Sequence, residues 1–205
     1  MLVAEKILTR YLGMVEYLPT VEAMRRFTSQ RDASTPDELW LLEHPPVYTL
    51  GLAADAAHGP KRASGVPVVR VERGGEVTYH GPGQVVLYTL VDLARRGIKV
   101  KQFVALLEQS VIELLGRRAE RKSGAPGIYV GGAKVAALGI RVSRGCAFHG
   151  LALNVDMDLA PFSAIDPCGV PGMQVTQTRD LGIAQSKELL GSRLADILVR
   201  KLEHA

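Results

Sequence analysis

The chain has 205 residues, 47% hydrophobic and 22% charged, with a formal net charge of +4. That length can bury a full core without staples, and the composition is that of a globular domain, which argues against fibrous and disordered classes. No apolar run approaches the ~20 residues of a membrane span, and the segment around Glu5, Lys6 and Arg10 lacks the apolar stretch of a signal peptide.

In chain order, a first helix is expected from about Thr20 to Arg31, with Pro19 near its start. Glu38–Glu43 and Val47–Leu50 read as short strands around the His44-Pro45-Pro46 break, and Asp55 to Gly65 as a polar surface loop. Val66–Val71 reads as a strand, a glycine-rich segment follows, and Gln84–Asp92 reads as a buried strand. Val100, Phe103, Val104, Leu107, Val111, Leu114 and Leu115 recur on one face of a helix. The basic cluster Arg117, Arg118, Arg121 and Lys122 after it is read as a solvated helix end. Gly127–Val130 is a strand, and Lys134–Val142 and Cys146–Val155 form a hairpin turned near Ser143-Arg144-Gly145. Asp156–Asp180 is loop-rich, and a closing helix spans about Ser186 to Leu202, with Leu190, Leu194, Ile197 and Leu198 inward. Strands cluster centrally and helices flank them, which predicts one α+β domain over 1–205 with a mixed, largely antiparallel sheet.

Chemistry concentrates in a few segments. Arg73-Gly74-Gly75-Glu76-Val77-Thr78-Tyr79-His80-Gly81-Pro82-Gly83-Gln84 carries a cation, a titratable ring and a glycine density suited to a ligand lying against backbone. Cys168 stands between Pro167 and Gly169 on a stiff turn, where an exposed thiol suits a nucleophile once a nearby cation or base favours the thiolate. Lys134, His80 and His149 are all candidates to reach it. Cys146 lies on an apolar strand and is read as buried. Two cysteines without a CxxC spacing suggest neither a disulfide framework nor a zinc site, and a reducing, cytoplasmic setting is the simpler reading. No Walker A or GxGxxG pattern is present. Small residues at Gly139, Gly150 and Ala152, with apolar Val135, Leu138 and Leu151, are read as leaving room for an apolar ligand.

Together these segments resemble the lipoyl(octanoyl) transferase family. The resemblance runs through Arg73–Gln84, Gly127-Ile-Tyr-Val-Gly-Gly-Ala-Lys134, Leu138-Gly-Ile-Arg141, Arg144-Gly-Cys-Ala-Phe-His149-Gly-Leu-Ala-Leu-Asn154 and Asp166-Pro-Cys168-Gly169, in order, over roughly residues 10 to 180. Glu76 stands where the family often has glutamine or aspartate, and Ala137 where a polar residue is common. The resemblance implies the fold of biotin and lipoate protein ligases. It also implies transfer of an octanoyl, or lipoyl, group from acyl carrier protein to a lysine of lipoyl domains of 2-oxoacid dehydrogenases and of the glycine cleavage H protein. The chain is expected to need no cofactor and no metal, to have neither nucleic acid nor membrane as partner, and to act as a cytoplasmic monomer. By the same resemblance Cys168 is the acyl acceptor and Lys134 lowers its pKa and moves protons. Arg73, Gly74, Gly75, Glu76, Val77, Thr78, Tyr79, His80, Ala137, Leu138, Gly139, Gly150, Leu151 and Ala152 then line the acyl site. The alternatives are an ATP-dependent lipoate or biotin ligase on the same fold, and octanoyl transfer between lipoyl domains.

Overall fold

The computed structural model describes residues 7–61, 65–116 and 118–205. Glu5, Lys6 and Arg117 of the sequence reading lie outside them, as does part of the Asp55–Gly65 loop. The central layer is a seven-stranded sheet in the order β1-β2-β6-β10-β9-β8-β7. Its members are β1 (Leu8–Met14), β2 (Glu38–Glu43), β6 (Gln84–Asp92), β7 (Ala119–Lys122), β8 (Ala125–Val130), β9 (Ala133–Ser143) and β10 (Cys146–Asn154). β1 runs parallel to β2 and the other pairings are antiparallel, so the sheet is mixed as expected. The β1–β2 crossover is made by α1 (Tyr17–Gln30).

Hydrophobic patterning decides what covers each face. On one face α2 (Val100–Leu115) and α3 (Lys187–Glu203) bury Phe103, Leu107, Val111, Leu190, Leu194 and Leu198 against Leu39, Leu87, Leu153 and Ala136. Ser186 caps α3, its hydroxyl accepting from the Leu189 N–H. On the other face α1 packs Tyr17, Val21 and Met24 on Trp40, Val86, Tyr88, Leu90 and Phe148. Beside it lies a smaller sheet, β4-β3-β5, made of β3 (Val47–Leu50), β4 (Val68–Arg70) and β5 (Val77–His80).

Three short strands escape the sequence reading. β1 and β7 are edge strands rich in exposed or charged positions, and β5 sits inside the glycine-rich segment. β7 also corrects the reading of the basic cluster as a solvated helix end. Arg121 donates to Glu108 at 2.9 Å, and the Lys122 ammonium lies 4.4 Å from the centre of the Tyr129 ring. These cations are held by neighbours on α2 and β8.

Candidate active site

Between the α1 face of the large sheet, the small sheet and the 160–176 loop lies a cavity of about 320 Å³, near the lower bound of small-molecule sites. Its walls come from the segments singled out by sequence. Arg73, Gly75, Glu76, Val77, Thr78 and His80 arrive from the loop before β5 and from β5 itself. Ala137, Leu138 and Gly139 come from β9, and Gly150, Leu151 and Ala152 from β10. Lys134 and Pro167 meet at the same cavity. Gly74 and Tyr79 are outside the lining: Gly74 N–H donates to Ile140 O at 2.9 Å, which lays the loop across β9, and Tyr79 packs with Tyr48 and Phe162. Val135 is fully buried in the α2–α3 core and does not wall the cavity.

The β9–β10 register explains the shape of the slot. Ala137 opposes Ala152 and Gly139 opposes Gly150, so two alternate rungs carry almost no side chain on the cavity face, with the Leu138–Leu151 rung between them turned to the α2–α3 core. Gly150 itself does not supply open volume. A Cβ there would meet Leu87 O at 2.1 Å, so the glycine lets β10 approach β6. The two alanines are the positions where side-chain size sets the width of the slot.

Lys134 is buried, 3% exposed, and its ammonium donates to Pro126 O at 2.9 Å while lying 5.1 Å from the Tyr129 ring centre. Its passage is opened by Gly127, where a Cβ would stand 2.9 Å from Lys134 Cε. The same residue ties down the cysteine loop. Lys134 N–H donates to Gln174 O at 2.8 Å and Thr176 N–H donates to Lys134 O at 2.9 Å. The backbone of Cys168 forms a single 3₁₀ turn, Pro167–Gly169. Asp166, just before that turn, is held by Lys61 at 2.7 Å. The Gly169 N–H is committed to Asp166 O at 2.9 Å.

His58 is the residue that sequence reasoning missed. It sits in the polar loop assigned to the surface, in the short 3₁₀ turn Ala56–His58. A Cβ on Gly169 would be 3.2 Å from its ring and 3.4 Å from the Glu76 carboxyl carbon. An imidazole and a carboxylate therefore flank the residue following Cys168. Only the histidine in that loop signalled it.

His80 and His149 lie deeper. Asn154 Nδ2 donates to Thr176 O, so its Oδ1 accepts from Gln84 Nε2 at 2.9 Å, and Gln84 Oε1 accepts from His80 Nδ1 at 2.7 Å. This chain of amides fixes His80 with its proton on Nδ1. His44 donates from Nδ1 to Val15 O and accepts the Tyr88 hydroxyl at Nε2, 2.8 Å away. Burial drives all three imidazoles toward neutrality: His80 down to about 3, with His44 and Arg73 adding to the effect, and His149 and His44 each to about 4. Arg73 is clamped, donating to Thr49 O at 2.6 Å and to Gly74 O at 2.9 Å.

Comparison with known proteins places this geometry. A family model described as the lipoyl protein ligase A/B catalytic domain matches residues 16–193. The chain belongs to that family. It is 58% identical over 199 residues to an octanoyltransferase of Thiobacillus denitrificans, covering 96% of this chain and 91% of that one. It is 53% identical over 203 residues to an octanoyltransferase of Azoarcus sp., covering 98% and 89%. Among solved structures, a lipoate-protein ligase A bound with ATP superposes with a TM-score of 0.69 at 14% identity, covering 97% of this chain and 92% of that one. Biotin protein ligase of Aquifex aeolicus gives 0.58 at 12%, covering 96% and 70%. The expected fold is therefore borne out, and the family with it.

Proposed function

We propose that the protein transfers an octanoyl group from acyl carrier protein to a lysine of lipoyl domains through a thioester on Cys168. The observation that carries the reading is the near-full-length identity to octanoyltransferases, on a chain whose apolar slot ends beside Lys134 and Pro167. The Cys168 thiolate attacks the carrier thioester and the carrier thiolate leaves, taking a proton from the Lys134 ammonium. The acceptor lysine amine then attacks the new thioester and gives its proton to the Lys134 amine. The Cys168 thiolate departs, so the amide forms and the thiolate–ammonium pair is restored. One thioester is exchanged for another before the downhill amide step, so no nucleotide is required.

Among the residues named for the acyl site, Ala137 and Ala152 set the width, Leu138 and Leu151 between the small pairs turn their side chains to the α2–α3 core, and Arg73, Gly75, Glu76, Val77, Thr78 and His80 close the opposite side. The chain is read as one catalytic domain, because the layers share a central sheet. A basic net charge suits acidic protein partners, and a free, buried Cys146 suits a reducing cytoplasm.

Incubation with octanoyl-acyl carrier protein alone, without ATP or magnesium, is expected to add one octanoyl mass to the intact protein, removable by hydroxylamine. Cys168→Ala loses the adduct and Cys146→Ala keeps it. An adduct on Cys146, or strict dependence on ATP and free octanoate, overturns the reading.

A further inference from the structure

β8 departs from regular pairing beside Lys134. Along β7, Arg121 opposes Ile128 and Lys122 opposes Ala125, so Pro126 and Gly127 have no register partner there. On the other side the β8–β9 register begins at Ile128, opposite Ala136. The two residues form a bulge, which takes backbone groups out of the ladder and re-aims them. Gly127 has φ +135, a conformation that favours glycine, and a Cβ on it would meet Ala136 O at 2.7 Å.

The peptide bond between Pro126 and Gly127 is engaged from both ends. Its carbonyl accepts from the Lys134 ammonium at 2.9 Å on the cavity side, where Pro126 and Lys134 both line the wall. Its N–H donates to Glu108 Oε1 at 3.3 Å on the α2 side. Glu108 is a buried carboxylate in the middle of α2, and its Oε2 accepts from Arg121 at 2.9 Å. A carboxylate therefore stands at the positive end of this peptide dipole and an ammonium at the negative end. Donation to a charged acceptor polarises the peptide and makes its carbonyl oxygen a stronger acceptor. Glu108 is not among the residues that line the cavity, and it meets Lys134 through this peptide.

We propose that Glu108 is a positioning residue for Lys134, acting from the α2 face of the sheet through the Pro126–Gly127 peptide bond. The proposal rests on the acyl-transfer reading above, in which the nitrogen of Lys134 gives a proton in the first step and takes one in the second. A lysine ammonium sits on a flexible four-carbon stem, so aiming it requires an acceptor that is itself fixed. A peptide in a bulge is free to tilt unless both of its polar groups are tied. Glu108 ties the N–H, and the carbonyl then points at one place. The Tyr129 ring, 5.1 Å from the ammonium, offers a broad face and no direction of comparable sharpness. Arg121 is more exposed than Glu108 and holds the carboxylate from outside.

The test measures octanoyl transfer from acyl carrier protein to a lipoyl domain, and the rate at which iodoacetamide alkylates Cys168 at neutral pH. Glu108→Ala is expected to lower kcat on the order of ten-fold, the scale of a displaced proton-transfer group, and to leave KM for the octanoyl carrier within about two-fold. Arg121→Ala removes the ion pair but not the peptide contact, and is expected to keep the wild-type kcat. Glu108→Gln in the Arg121→Ala background, where no guanidinium competes for the amide oxygen, is expected to recover most of the rate. Glu108→Ala is also expected to slow alkylation of Cys168, and to add nothing once Lys134 is replaced by alanine. A wild-type kcat in Glu108→Ala overturns the proposal, as does an equal loss in Arg121→Ala or no recovery with Glu108→Gln. An alkylation defect that persists in the Lys134→Ala background also overturns it. All of these leave acyl transfer standing if the wild-type protein still moves octanoyl to the lipoyl domain. A wild-type protein that does not, or alkylation unmoved by Lys134→Ala, overturns the reading of the site and the proposal with it. Should Glu108→Ala not fold, Glu108→Met, a good helix former that also lacks the carboxylate, carries the same expectations.

Discussion

Replacing Ala152 by leucine tests the proposed slot at the Ala137–Ala152 rung. Ala152 is buried, lines the cavity and opposes Ala137, so its methyl is one of two that set the width. Leucine adds three carbons, which displace about three methylenes of an acyl tail from the slot. At ~0.8 kcal/mol per buried methylene this amounts to about 2.4 kcal/mol, or roughly 60-fold in kcat/KM for octanoyl transfer. A five-carbon donor escapes the clash, so the preferred chain shortens by about three carbons and shorter donors regain the rate. The assay is transfer to a lipoyl domain from carrier proteins bearing four- to ten-carbon chains. Gly150→Ala is the contrasting variant. Its Cβ would meet Leu87 O at 2.1 Å, so it is expected to lower the urea midpoint and reduce transfer of every chain alike. If Ala152→Leu scales all chain lengths by one factor, the β9–β10 rungs do not hold the acyl tail and the reasoning fails.

Two further predictions concern protons. Lys134→Ala is expected to slow alkylation of Cys168 at neutral pH and move its pH profile upward, while Cys146, whose thiol is pushed up chiefly by burial, stays unreactive; peptide mapping after iodoacetamide reads both, and an unmoved Cys168 profile refutes thiolate activation by Lys134. Stability is expected to fall steeply between pH 6.5 and about 4. His44, His80 and His149 are held neutral in the fold, so unfolding takes up as many as three protons in that window, a slope of at most on the order of 4 kcal/mol per pH unit. Their contribution is complete above pH 6.5 and lost as pH drops toward their folded values; urea midpoints that stay flat from pH 7.5 to 5 refute it.

The legible parts of the fold were those with long, unbroken periods. α2 carries its apolar residues at helical spacing, and β6 and β10 read as continuous apolar runs because both their faces are covered, by α1 on one side and α2–α3 on the other. β1, β5 and β7 were not legible, since edge and glycine-flanked strands are defined by a partner's backbone more than by their own pattern. In the site, motif spacing led to Lys134, Arg73 and the β9–β10 strip. It did not reveal that Gly150 serves backbone approach, because that depends on Leu87, on another strand. Nor did it reveal the left-handed backbone of His149, which the chain adopts only where tertiary packing holds it. His58 was hidden for a similar reason: its loop meets Gly169 through space.

The strand order carries a consequence for how the chain reaches this state. β8, β9 and β10 are successive hairpins that can close as soon as they are made, but β10 must then pair with β6, and residues 146–154 find 84–92 only after α2, β7, β8 and β9 intervene. The sheet's middle seam is therefore its least local contact, and closing it carries the greatest entropy cost. A carboxy-terminal meander, zipped early, waits for an amino-terminal half that has paired β2 with β6. The walls of the cavity straddle that seam, so the cavity comes into being at the step that joins the two halves.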